Sequence, residues 1–469
     1  MSKISLLIDT GKRAMMNNQT ALQTVGHNIA NKSTEGYSRQ RVELQANVPF
    51  SVGRLQIGTG SRASQVTRIN NPYLEKQIQK ETSNSGFMDA RAEALASVEQ
   101  IYNEQVNKGL SQNMSEFFNA FRELANTPES IATRTFVRDA GQILASDFQR
   151  VNSNLVGAQQ DLNMQIKTHV VEINQMVKEI ANLNEKIAAV EMQGIPDNDE
   201  RDRRDLLLKK LNEKIDITCS ESDNGQVTIV AGRNAILVSG FTALELDTHP
   251  SANGDILDVV FKTTAGEAVP LTKTITGGKL GALIEVRDKT IEEFKERVDT
   301  LAHTLTSEVN RVHSQGVDLV GRPGLGFFED PKDVKGAAAT MSVNAALKKD
   351  VNRVVTGIKE KGVADNTVAN VITKLQSLPI LNDGTATLDD YYRASISQVG
   401  VLAARAKNES ESQKNILTQL SNLRESISGV SLDEEATKMI EFQRSFDASA
   451  RIVRTADEMF NTILGLKPM

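Results

Sequence analysis

Two seven-residue repeats, one at each end of the chain, constrain the fold more than anything between them. At the N-terminus Ile4, Ile8, Gly11, Met15, Asn18, Leu22, Val25 and Ile29 alternate spacings of four and three. That is the seam of a helix that packs lengthwise on another helix. Gly11 and Asn18 are expected to weaken it. The helix should stop near Asn31, because Lys32-Ser33-Thr34-Glu35-Gly36 is turn chemistry. At the C-terminus Leu432, Met439, Phe446, Val453 and Phe460 recur every seven residues, and Phe442, Ala456 and Ile463 widen the stripe. Ser431 with Glu434 three residues on reads as a capping box. Asp433, Glu434 and Glu435 suit the positive end of a helix, and Gly465 suits its stop. Bare seams of this length are not stable alone in water, so each needs a partner. Residues 1–62 hold eight Lys/Arg against three Asp/Glu, and residues 427–469 hold five against seven. Opposite signs favour pairing of the two ends, modestly. Two unrelated amphipathic helices laid on one core would give the same pattern, and periodicity does not choose between them.

A chain of 469 residues suggests roughly three domains. It holds 30 Gly and 10 Pro, a low share that implies few turns and long helices. A single cysteine, Cys219, excludes an internal disulfide and a Cys-based metal site. Five histidines leave little for a His-rich site. Neither a cofactor nor a metal is expected. A net charge of −6 argues against a nucleic-acid binder. No apolar run is long enough to span a membrane, and the polar N-terminus lacks the marks of a cleavable signal peptide.

The middle divides by period. Over residues 155–193, Leu155, Leu162, Ile166, His169, Ile173, Met176, Ile180, Leu183, Ile187 and Val190 predict one long helix of roughly 35–40 residues. Gly194-Ile195-Pro196 breaks it. A shorter helix follows from about Glu200 to Leu211. Between 218 and 275 the period changes, and 227–230, 235–238, 241–246 and 256–261 read as strands. Asp223-Asn224-Gly225, Ser239-Gly240, residues 251–255 and Ala265-Gly266 punctuate them. Helical periodicity resumes at Gly281, through Leu283, Ile291, Phe294, Val298, Leu301, Leu305 and Val309. The expected fold is mainly α, a discontinuous long-helix coiled coil and bundle formed by both chain ends, with one inserted small β-rich domain. Its expected parts are a terminal helical domain (1–62 with 427–469), a helical bundle (63–217 with 279–426) and the β insertion (218–278).

The residues carry little chemistry. Asp197-x-Asp199 has Asp202 and Leu208 where a calcium loop needs glycine and an acidic residue. Gly321-x-x-Gly324-x-Gly326 lacks the order of a phosphate-binding loop. The charged run 200–205 is expected to be a solvated helix face. Cys219 reads as a small apolar residue rather than a reactive thiol, and His169 as a packed or rim histidine. No enzyme motif is present.

The two ends also share a vocabulary. Residues 21–31, ending in Asn28 and Asn31, then Gly36-Tyr37-Ser38-Arg39-Gln40, resemble the opening signature of the flagellar axial family of rod, hook and hook-associated proteins. Ser428 to Glu435, with Phe442-Gln443 and Thr455 to Met459, looks like the matching C-terminal signature. Leu183 to Ile187, Arg201 to Leu207, Glu308-Val309-Asn310, His313 to Gly316, Gly326-Phe327-Phe328 and Thr387 to Tyr392 resemble the hook-associated branch of that family. Lys32 and Glu35 depart from it, standing where small residues and often Pro occur. The resemblance implies a structural adaptor between hook and filament, exported through the flagellar type III apparatus and assembled as a helical array outside the cell. It implies contacts with hook protein, with the next junction protein or filament, with copies of itself, and with an export chaperone. The N-terminal seam (Ile4, Ile8, Met15, Leu22, Val25, Ile29) would serve assembly. The C-terminal stripe (Leu432, Met439, Phe442, Phe446, Val453, Phe460, Ile463) would serve assembly and the chaperone. A hook- or rod-type axial protein, or a surface adhesive carried on a helical stalk, are the alternatives. Before assembly both ends are expected to be mobile.

Overall fold

The computed structural model describes residues 2–52, 55–103, 109–222, 224–232, 234–251, 254, 256–263, 266–358, 362 and 364–465. The expected turn residues Asp223, Ala252, Asn253, Asp255 and Ala265 lie outside them.

The first helix, α1 (Ser2–Ala30), ends where the turn residues begin. Four strands follow: β1 (Gln40–Ala46), β2 (Phe50–Val52), β3 (Leu55–Ile57) and β4 (Ser61–Arg68). The helical reading of residues 1–62 therefore stops at Ala30. β1 and β4 pair antiparallel with a bulge at Glu43/Leu44, and β2 and β3 pair at the far end of that ribbon. The ribbon lies against α1, where Asn17 donates to the Ser61 carbonyl at 2.8 Å and accepts the Ala63 amide at 2.9 Å.

The bundle opens with α2 (Pro72–Ile101), capped by the Asn71 side chain, then α3 (Leu110–Asn126). The next helix, α4 (Ile131–Glu191), runs 61 residues, about 90 Å, and so starts well before the expected 155. Val137, Leu144, Phe148 and Val151 carry the same buried face N-terminal to Leu155. Its buried register passes through Val170 and Val177 rather than the expected His169 and Met176, because a straight helix drifts off a strict seven-residue repeat. α5 (Asn198–Lys214) turns back after Gly194.

The insertion contains more strands than the sequence suggests. β5 (Ile217–Glu221), β6 (Val227–Ala231), β7 (Ala235–Ser239) and β8 (Thr242–Ala243) form one sheet. β9 (Leu246–Pro250), β10 (Leu257–Lys262) and β11 (Ala268–Pro270) form another, with β10 in the middle. The expected strand at 241–246 is divided between β8 and β9. Three asparagines of α4 hold these strands by their backbones. Asn184 donates to the Val227 carbonyl at 2.8 Å and accepts its amide at 3.2 Å. Asn174 does the same to Leu246 at 2.8 and 2.9 Å. Asn163 accepts the Leu257 amide at 3.2 Å. Cys219 is only partly covered, yet burial pushes its thiol up to about 12, so it is not a reactive thiolate.

The chain re-enters the bundle through α6 (Gly278–Glu285), one π-turn (Val286–Thr290) and α7 (Ile291–His313). Arg287 on the π-turn is fully buried and donates to Asn163 at 2.8 Å and to the Leu257 carbonyl at 2.7 Å. Short helices α8 (Ala337–Thr340), α9 (Ala345–Lys349) and α10 (Thr367–Leu375) lead to α11 (Leu388–Ser428), which lies along α2. Phe117, Phe121, Phe327 and Phe328 pack ring to ring between α3 and the loop after α7, with centroids 4.9–5.6 Å apart. The last helix, α12 (Leu432–Gly465), follows Ser431, whose hydroxyl accepts the Glu434 amide at 3.5 Å. It runs antiparallel along α1: Asn28 meets Glu435 and Asn18 meets Ser449.

Candidate functional site

Each predicted seam lies where α1 and α12 meet, though neither is fully enclosed. Val25 is buried, while Ile4, Ile8, Met15, Leu22 and Ile29 are half-buried. On α12, Met439, Phe442, Phe446, Val453 and Phe460 are half-buried, but Leu432 and Ile463 stay 43 % and 51 % exposed. Gly11, expected to weaken the seam, is a point of close approach. A Cβ there would stand 2.7 Å from Val453 Cγ2. α1 has α12 on one flank and the strand ribbon on another, and among the described residues no further layer closes over the pair.

Where this pair meets the bundle, the signature residues form a single knot. Asn28 is buried and saturated. Its Oδ1 accepts the Gln40 amide at 2.9 Å and the Tyr37 hydroxyl at 2.7 Å. Its Nδ2 donates to the Gln40 carbonyl and to Glu435 Oε2, both at 2.9 Å. Burial and the nearby Asp199, Asp202 and Glu435 carboxylates hold the Tyr37 phenol well above its ordinary pKa, so it stays a donor. Asn31 closes the turn, donating to the His27 carbonyl at 3.1 Å and accepting Thr34 at 3.1 Å. Gly36 takes φ +84° with Leu206 Cβ 3.1 Å from any added Cβ, so both backbone and space require glycine. Arg39 pairs with Glu434 at 2.5 Å, and its amide bonds the Ser428 carbonyl at 2.8 Å. One short stretch thus touches the end of α11, the start of α12 and the end of α1.

The charged run 200–205 corrects the expectation of a solvated face. Asp202 and Arg204 are 6 % and 1 % exposed. Asp202 accepts the Ser38 amide at 2.8 Å and pairs with Arg68 at 2.7 Å, while Asp205 takes the same guanidinium at 2.8 Å. Burial raises the Asp202 pKa despite that pairing. Burial opposes the Arg68 charge too, but Asp205 and Asp202 outweigh it and raise that group. On the other side of α5, Arg204 reaches Asn184, the Gly225 carbonyl and Glu221, and Arg201 bridges Glu191 and Glu221. α5 therefore couples the terminal ribbon to the β insertion. A sequence pattern identifies such a run as charged but does not show that ribbon and insertion cover it from both sides. Glu35, a departure from the family pattern, pairs with Lys210 at 3.0 Å, and Lys32 is exposed.

His169 is a rim residue beside Glu172 and Lys214, its pKa lowered mainly by burial. Among the described residues no three His, Cys, Asp or Glu side chains converge as a metal site. No described helix is long and apolar enough to cross a membrane. The arrangement offers pairing surfaces and a stiff joint.

Three family models match successive parts of the chain. Residues 95–328 match the family described as flagellar hook-associated protein FlgK helical domain. Residues 8–37 match flagella basal body rod protein, and 424–466 match flagellar basal body rod FlgEFG protein C-terminal. Flagellar hook-associated protein 1 of Bacillus subtilis (strain 168) is 29 % identical, over 99 % of this chain and 98 % of that protein. Its counterpart in Escherichia coli (strain K12) is 24 % identical, over 99 % and 100 %. The structure of the flagellar hook junction protein FlgK from Burkholderia pseudomallei superposes with a TM-score of 0.68 at 16 % identity, over 75 % of this chain and all of that one.

Proposed function

The chain belongs to the flagellar hook-associated protein 1 family, and from that membership we propose that it is a non-enzymatic structural adaptor joining hook to filament in the bacterial flagellum. The observation that supports this most is the division of its matches. Both ends match rod proteins, while the middle matches the helical domain of hook-associated proteins. A rod or hook reading accounts for the ends alone.

In this reading the α1–α12 pair is the layer that meets hook protein, the following junction protein or filament, and neighbouring copies in a helical array. The seam residues named above carry those contacts. The knot transmits their orientation to the bundle (63–217 with 279–426), and the β insertion (218–278) faces outward. Open arrays need head-to-tail contacts that do not close. The protein travels unfolded through the type III apparatus to the cell exterior. An export chaperone covers Met439, Phe442, Phe446 and Phe460 on the way, since an amphipathic helix is read by a groove.

Deleting residues 432–469 tests the reading. Cells carrying the deletion should make hooks but release filament subunits into the medium. Normal filaments on such cells would overturn it. An adhesive on a stalk predicts instead that deleting 220–275 removes the main phenotype.

A further inference from the structure

A second heptad repeat runs along α4 on the face that the fold leaves open. Phe136, Ile143, Arg150, Gly157, Met164 and Val171 recur every seven residues. The four apolar members are exposed at 50 %, 55 %, 64 % and 51 %. From Phe136 to Gln175 the exposed residues of this helix carry charge only at Asp139, Arg150, Asp161 and Lys167. The rest of that exposed surface is Gln, Asn, Ser and Thr with the apolar stripe. A helix face kept only in water usually carries dense charge. Loss of charge around a row of large apolar residues is the composition of a contact surface. Beside Ile143 a shallow groove of about 510 Å³, lined by Gln142, Ser146 and the charged Asp139, Asp147 and Arg150, leaves room for an incoming side chain.

A counterpart lies on α11, where Val401, Ile416 and Leu423 are exposed at 63 %, 43 % and 50 %. Ile416 and Leu423 are seven residues apart, the same step as Phe136 to Ile143 and Met164 to Val171. α11 packs along α2, whereas α4 packs along α3 and α5, so the stripes belong to different helices of the bundle.

We propose that the outer stripe of α4 is a contact surface for a second copy of this chain, which presents its α11 stripe. The proposal rests on the array reading above and names the surfaces that build it. Area favours a copy in an array over a stable dimer. The shorter stripe, Val401 to Leu423 on α11, is about 33 Å long, and one helix is about 10 Å wide. About 330 Å² per partner, or about 660 Å² in all, falls below the roughly 1,000 Å² that a stable specific interface needs. Such a contact leaves the free chain monomeric and accumulates strength only when neighbours are already held in place. Two different stripes, one giving and one receiving, make the contact head-to-tail, so it propagates without closing.

The test places a photoreactive benzophenone side chain at Met164 or Val171 of the full chain in flagellated cells. Purified flagella are irradiated, and the adducts are mapped by mass spectrometry. The expected product has twice the chain's mass, joined to a peptide within 393–426 of another copy. Adducts to another protein, to a different element of a second copy, or no adduct from flagella that contain the chain would overturn the proposal and leave the adaptor reading standing. Absence of the chain from purified flagella would overturn both. As a second arm, Met164→Lys with Val171→Lys should keep the monomer's melting temperature within about 2 °C, because both sites are exposed. The same pair should lower the number of attached filaments at least tenfold. Filaments at normal number with both lysines in place would sink the proposal.

Discussion

Asn28 and Gln40 exchange two hydrogen bonds, side-chain amide to backbone amide, and so splice the end of α1 to the first strand as a strand neighbour would. The carboxamide presents a donor and an acceptor side by side, the pair that a peptide unit offers. Because it is neutral, it is buried at far lower cost than a charge. The same device recurs at Asn174 with Leu246, Asn184 with Val227, and Asn310 with Phe328. Helices and strands of this protein are thus pinned at fixed points.

Asn28→Ala should therefore cost about 1–3 kcal/mol, since it strands the Gln40 amide and carbonyl away from water. Asn28→Asp should cost as much or more, because it places a carboxylate against the Gln40 carbonyl and Glu435. Urea unfolding of the purified chain measures both. If Asn28→Ala unfolds at the native midpoint, the splice has no energetic weight.

Gly11 gives a test of helix packing against helix propensity. In an exposed helix, Gly→Ala gains about 1 kcal/mol. Here the added methyl would stand 2.7 Å from Val453, a stiff β-branched side chain. Gly11→Ala should therefore fail to stabilise and should loosen the end pair, while Gly11→Ala with Val453→Ala should recover. A double-mutant cycle followed by hydrogen exchange in α1 reads the coupling. Independent, additive effects would show that the helices do not approach as described.

Much of the architecture was legible because burial imposes a period. Ile291, Phe294, Val298, Leu301, Leu305 and Val309 are all buried as their spacing requires. The seams at both ends lie where the two helices meet. The ribbon of β1 and β4 was only half legible: Val42, Leu44 and Ala46 alternate as a strand does, but Ser61-Arg62-Ala63-Ser64-Gln65 has no apolar alternation and owes its shape to α1 beside it. The burial of Asp202 and Arg204 was not legible. A charged run reads as solvated until the elements covering it are known, and here those elements lie over 130 residues upstream and some 20 downstream. The asparagine splices leave no pattern either, because their partners are backbone atoms.

Asp202→Ala should be among the most damaging single changes. It removes the acceptor of the Ser38 amide and leaves Arg68, itself buried, with Asp205 alone. Breaking a buried pair from one side costs about 3–5 kcal/mol. Replacing the whole pair, Arg68→Met with Asp202→Leu, should cost less than Asp202→Ala, because no charge is left stranded. Thermal melts of the three proteins decide it, and the reverse order would mean that the ion pair itself supplies net stability.

His313 should give the fold an acid-sensitive component. It is fully buried, with Nδ1–H donating to the Leu325 carbonyl at 2.5 Å and Nε2 accepting the Val355 amide at 2.9 Å, so only the neutral ring fits. Burial, aided by Arg134 and Arg353 and opposed by the Leu325 bond, depresses its pKa from 6.5 to about 4. Between those values the unfolded chain binds a proton that the folded chain refuses, so stability falls as pH falls. From pH 7 to pH 5 the loss should be about 2 kcal/mol. Denaturant unfolding of the native chain and of His313→Gln at both pH values isolates it. Equal pH dependence in the two proteins would remove His313 as the source.

In the free monomer the two chain ends should open first. Packing of α1 on α12 in one structure does not set how often the pair opens. Local stability follows buried apolar contact, and here the two ends differ from the bundle. In α7 the inward face is enclosed on every turn, whereas of the predicted α1–α12 seam only Gly11, Val25 and Ala456 are buried, and Leu432 and Ile463 remain about half exposed. The pair should therefore open while the bundle stays folded. Brief trypsin treatment should cut first at Lys12, Arg13, Arg444, Arg451 or Arg454 and leave a resistant fragment spanning α2 to α11. Incorporation into flagella should protect the same sites, since neighbours then cover the half-exposed seam. Resistance of both ends in a monodisperse monomer, equal to that of α4, would mean that the pair is as stable as the bundle and needs no assembly to order it.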